Sequence, residues 1–101
     1  MTTALTGDQL SAALTGLPGW RVEEGDLTAE FRVARDRLPA FYAAVAAAED
    51  AANHHARITV LYSSVTFALN THDAGGAITE RDTALAGQID ALAQAHGAEP
   101  A

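Results

Sequence analysis

Apolar residues recur at helical spacing in three stretches and in strict alternation in four. Leu10, Ala13, Leu14 and Leu17 lie three or four positions apart, which predicts a first helix. Thr6 and Gln9 before them have the spacing of a capping box, and Leu5 and Leu10 that of a hydrophobic staple. Pro18-Gly19 ends this helix. Trp20 and Val22 then alternate with Arg21 and Glu23, and Leu27, Ala29, Phe31 and Val33 with Thr28, Glu30 and Arg32. Glu24-Gly25-Asp26 between the two runs is a turn signal, so the pair predicts a β-hairpin with one apolar face. A second helix is expected from Asp36 as N-cap, with Pro39 tolerated in its first turn and Leu38, Phe41, Tyr42, Val45 and Glu49 marking its faces. It should end near Asn53, a residue that tolerates the left-handed conformation found past helix ends. Ile58, Val60 and Tyr62, then Val65, Phe67 and Leu69, predict a second hairpin turning at Ser63-Ser64. Asp73 to Gly76 reads as a flexible loop. A third helix opens at Thr79, with Asp82 as a short capping-box partner and Leu85, Ala86, Ile89, Leu92 and Ala93 as its apolar stripe. The tail from His96, itself read as solvated, is expected to fray.

The order α-β-β-α-β-β-α predicts an α+β fold, a four-stranded antiparallel sheet with three helices on one face. The 101 residues are read as a single domain, 1–101. Such a chain has a modest core, and oligomerisation would bury more apolar area per copy. Lysine is absent and the net charge is −7, which argues against binding a phosphate backbone or an anionic membrane surface. With no cysteine, thiol nucleophiles, disulfides and zinc–thiolate sites are excluded. No stretch is long and apolar enough to span a bilayer, and the first residues lack signal-peptide character, so a cytoplasmic location is expected.

Three of the four histidines, His54, His55 and His72, are separated in sequence but brought together by the second hairpin. If Tyr62 pairs with Val65, antiparallel register sets position 72 opposite 55 and position 73 opposite 54. A histidine pair after a helix can also serve simply as a C-terminal cation, and His72 alone would be a strand-end surface residue. Convergence of the three favours chemistry. Neutral imidazoles bind metals, and Asp50 and Asp73 could add carboxylates, although adjacent histidines lack ligand spacing along a helix face. Imidazole also suits acid–base catalysis near neutral pH. Ser63-Ser64 lies too far along the hairpin for a serine triad, and Gly75-Gly76 reads as a loop hinge.

Leu17-Pro18-Gly19-Trp20, Asn53-His54-His55, Thr71-His72-Asp73-Ala74-Gly75-Gly76 and Thr79-Glu80-Arg81-Asp82 together resemble the pterin-4a-carbinolamine dehydratases over nearly the whole chain. Three positions depart from that pattern. Ala56 stands where the family usually has proline, Asp50 where it often has glutamate, and Ala77-Ile78 makes the following loop one residue longer. The resemblance implies dehydration of 4a-hydroxytetrahydropterin to quinonoid dihydropterin, with no metal or organic cofactor, in a homodimer or homotetramer. It implies His54 and His72 as acid and base and His55 as chiefly pterin-binding. Asp50 would orient a histidine, Asn53, Asn70, Thr71 and Asp73 would hydrogen-bond the pterin through side chains or backbone, and Trp20 would border the site. The competing expectation is a non-catalytic assembly or dimerisation module on the same fold.

Overall fold

The computed structural model describes residues 3–101. Helix α1 (Gly7–Thr15) opens with the expected capping box: Thr6 Oγ1 accepts from Gln9 N at 3.1 Å, and Gln9 Oε1 accepts from Thr6 N at 2.9 Å. It buries none of its own residues completely, and Leu5, Leu10 and Leu14 pack against the rim of the core. Strands β1 (Arg21–Glu23) and β2 (Asp26–Arg32) pair with Glu23 opposite Asp26. The two-residue turn Glu24-Gly25 therefore has positive φ at both positions, the geometry whose twist matches a hairpin.

Helix α2 (Leu38–Ala52) starts later than expected and without Asp36. Its N-cap is Arg37, which has helical dihedrals and makes no side-chain cap, because a turn over residues 35–37 leads directly into the helix. Pro39 sits in the first turn, where its missing N–H costs nothing. At the other end Asn53 takes the left-handed conformation, φ 50° and ψ 45°, as the sequence suggests.

Strands β3 (Arg57–Leu61) and β4 (Ser64–Leu69) pair with Leu61 opposite Ser64, so the turn is Tyr62-Ser63, not Ser63-Ser64. Two side interactions hold it there. Val33 N donates to Ser63 O at 2.9 Å, and Arg35 donates to Tyr62 O at 2.8 Å. The displacement changes the pairing by two positions and so leaves each strand's inward and outward faces as read.

The sheet runs β1-β2-β4-β3, antiparallel throughout, with helices on one face. Leu27, Ala29, Phe31 and Val33 meet Val65, Phe67 and Leu69 under α2 and α3 (Glu80–Ala95). Phe31, Phe41 and Phe67 pack edge-on at centroid distances of 5.8 to 6.2 Å, with Trp20 against Phe31. Two expectations about the C-terminus fail. His96 caps α3 through its backbone and lies half-buried, its ring 6.1 Å from that of Phe41. Beyond it the chain is not frayed: β5 (Glu99–Pro100) pairs with β2 beside β1, and Ala101 N donates to Glu30 O at 2.9 Å.

Candidate active site

The end of α2, the end of β4 and the start of α3 meet at one end of the sheet around a cleft of about 320 Å³. Asn53, His54 and His55 form one wall, Asn70, Thr71, His72 and Asp73 another, and Arg81 closes it from α3. All three predicted histidines therefore line one space. The register that brings them there differs from the expected one. The β3–β4 ladder ends at Arg57 opposite Ala68, two positions away from the expected pairing, and the histidines lie beyond its end, His54 and His55 after α2 and His72 in the turn that follows β4.

The loop after β4, read from its glycines as flexible, folds through defined turns. His72–Ala74 form a 3-10 turn, and Gly75 and Gly76 both take positive φ, where a side chain would be strained. Thr71 and Ala77 close the loop as an isolated bridge, with Thr71 N donating to Ala77 O at 2.9 Å. The additional Ala77-Ile78 residue is absorbed by packing: Ile78 is buried, and its carbonyl accepts from Leu5 N.

Beneath the cleft lies a buried polar cluster. His54 is buried, and its Nε2 donates to Asp82 Oδ1 at 2.5 Å. Asp82 is fully buried in the first turn of α3, and its Oδ2 accepts from Thr79 N and Thr71 Oγ1, each at 2.8 Å. A buried carboxylate needs such donors to offset lost hydration. The proton order can be followed around the cluster. Thr71 spends its one hydroxyl proton on Asp82, so Thr79 Oγ1 donates to Thr71 Oγ1 at 2.6 Å and itself accepts from Arg81 N. With Asp82 as a carboxylate acceptor, the matching tautomer of His54 carries its proton on Nε2 and leaves Nδ1 for a second partner.

The remaining groups divide clearly. His55 Nε2 donates to Asp50 Oδ1 at 3.0 Å, but both side chains are largely exposed, and Asp50 therefore orients His55, not His54. His72 and Asp73 are exposed on the cleft rim. Thr71 lines the cleft but is buried, and its hydroxyl proton is committed to Asp82, so its side chain has no donor left for a ligand. Trp20 does not border the cleft; it is a core residue whose Nε1 donates to Asp90 Oδ1 at 2.8 Å. Asn53 lines the cleft, and its carbonyl accepts from Arg81 at 2.7 Å. Glu49 is buried, and its Oε2 accepts from Ala56 N at 2.6 Å. The residue in the usual proline position thus donates a bond proline could not make.

Sequence reasoning missed Arg81 in the cleft wall and Asp82 beneath it. Asp82 satisfies the capping-box pattern completely, and nothing in that pattern shows that its second oxygen is free for a histidine. The short connection from His72 to Thr79 was the available signal, since it forces the start of α3 back against the histidine loop.

An antiparallel sheet covered by helices on one face, with a histidine-lined polar cleft at its end, defines a small α+β protein of the pterin dehydratase fold. The chain belongs to the pterin 4 alpha carbinolamine dehydratase family, whose model matches residues 3–92. It is 37% identical over 95 residues to a Streptomyces coelicolor protein named "Putative pterin-4-alpha-carbinolamine dehydratase", covering 93% of this chain and 94% of that one. A Nocardia farcinica protein of the same name is 44% identical over 98 residues, covering 93% and 100%. Among solved structures, a transcriptional coactivator/pterin dehydratase from Brucella melitensis superposes with a TM-score of 0.83 at 27% identity, covering 89% of this chain and 98% of that one. A pterin dehydratase-like protein described as a RuBisCO assembly factor of the alpha-carboxysome gives 0.59 at 25% identity, covering 73% and 86%.

Proposed function

We propose that this chain dehydrates 4a-hydroxytetrahydropterin to quinonoid dihydropterin and water by histidine acid–base catalysis. The observation that carries this reading is the convergence of His54, His55 and His72 on one cleft, with Asp82 buried against His54. The reaction is an elimination of water: N5 loses a proton, the C4a–O bond breaks, a C4a=N5 double bond forms, and the leaving hydroxyl gains a proton to become water. No electron changes hands, so the chemistry calls for no redox cofactor. His54 takes the N5 proton at Nδ1, and Asp82 holds the imidazolium that results. His72, exposed on the rim, supplies the proton to the departing hydroxyl. His55, oriented by Asp50, binds the pterin together with Asn53, Asn70 and Asp73, and Arg81 offers further donors.

A second reading has support in the names of the two solved relatives: a binding or assembly module on the same fold. The complete histidine set favours the enzyme. The deciding measurement is dehydration of freshly generated 4a-hydroxytetrahydropterin with and without the protein, less the spontaneous rate. Acceleration at catalytic concentrations that survives chelation supports metal-free acid–base catalysis. Pterin binding without acceleration supports the module.

The same reading includes a homodimer or homotetramer. Strand β3 forms the outer edge of the sheet, and Leu61 and Tyr62 at its end are 63% and 81% exposed. An unpaired edge with apolar side chains is a template for another strand, and a second copy of this chain is the proposed occupant.

A further inference from the structure

The β2–β4 ladder ends at Leu27 opposite Leu69, and just past that end lie Asp26 and Asn70. These side chains are bonded across the sheet, Asn70 Nδ2 donating to Asp26 Oδ1 at 2.8 Å. Asn70 lines the cleft, whereas Asp26 does not. The bond fixes which way the amide faces: a carboxylate only accepts, so the nitrogen must be the end turned to Asp26. The amide oxygen is then on the opposite branch, and no protein donor reaches it among the described residues. Asp26 is itself held in place. It closes the two-residue turn opposite Glu23, and its carbonyl accepts from Thr28 Oγ1 at 3.1 Å. Asn70 and His55 both line the cleft, so the bond ties the turn at Asp26 to the cleft wall.

We propose that Asp26 is a positioning residue for the cleft: it turns the Asn70 amide so that its oxygen meets the ligand, which selects a heterocycle edge bearing an N–H or NH2 donor. This inference rests on the pterin reading, since a pterin ring carries such donors. Without Asp26 the amide can rotate, and a bound ring meets nitrogen or oxygen with little preference. A neutral acceptor at position 26 should preserve the orientation.

The experiment titrates 7,8-dihydropterin onto the full chain and onto D26A and D26N, and measures dehydration of 4a-hydroxytetrahydropterin on the same preparations. D26A should bind the dihydropterin about three- to tenfold more weakly, the loss expected for one misdirected hydrogen bond, and raise KM by a similar factor with kcat within about twofold. D26N should restore both affinity and KM. A wild-type protein that binds and turns over, alongside a D26A that matches it or a D26N as impaired as D26A, overturns the inference and leaves the dehydratase reading standing. A wild-type protein that neither binds dihydropterin nor accelerates the reaction overturns both.

Discussion

His54 and His72 both line the cleft but are held very differently. His72 is exposed and bonded to no protein side chain among the described residues, so His72→Ala should leave the denaturation midpoint unchanged while lowering kcat by roughly 10² or more. His54 is one of three donors to a buried carboxylate. His54→Ala should lower kcat comparably and also cost about 1–3 kcal/mol of stability, because Asp82 Oδ1 loses its donor. Urea unfolding beside the kinetic assay separates the two cases; equal stability losses would count against the arrangement. A similar argument applies to Glu49. Ala56→Pro restores the family's usual residue yet deletes the N–H that serves a buried carboxylate, and should destabilise by about 1–3 kcal/mol. The penalty should largely vanish when Glu49 is also replaced by Leu, which a double-mutant cycle would reveal. In the sequence the histidines were legible because each carries its own chemistry. Asp82 and Glu49 were not, since a carboxylate in a helix is ordinarily solvated or capping, and only tertiary contact shows what its second oxygen meets.

Elements formed largely where their periodicity placed them, and the exceptions have local causes. Capping boxes at Thr6 and Thr79 are readable because both partners lie within one turn. The second hairpin is different. Its turn residues give no glycine or asparagine signal, and the turn is set by Val33 and Arg35, which bond the Ser63 and Tyr62 carbonyls from a distant segment. Tyr62 accordingly sits at φ 54°, a conformation that costs an L-residue roughly 1 kcal/mol. Its side chain is almost wholly exposed in a single chain, so Tyr62→Gly should relieve up to about 1 kcal/mol of strain within the monomer, and any net loss of stability would come from the proposed contact at the β3 edge. A lower melting temperature would show that the exposed ring has packing value. Strand β5 was missed for a related reason: two residues carry no alternation, and their pairing depends entirely on how α3 delivers the chain back to β2.

At the scale of the molecule, α3 joins the two ends of the structure. Its first turn holds Asp82 under the histidines, its middle holds Trp20 through Asp90, and its C-terminus feeds the strand that completes the edge of β2. Sequence pattern predicted the layers but not this junction, because no residue spacing encodes which helix end meets which loop. The proposed self-association belongs here as well. Light scattering should report a mass above one chain, and Leu61→Lys should lower it, since a charge at an edge strand opposes pairing. An unchanged mass would move the contact elsewhere. The buried Asp82 cluster carries a further consequence for lineages that share this architecture. On the dehydratase reading, a descendant released from turnover would still draw stability from the bonds among Asp82, Thr71 and Thr79, while nothing structural would conserve the rim imidazole of His72. Persistence of the aspartate is then an inherited mark of ancestry, and erosion at the His72 position is where a change of vocation would first be written.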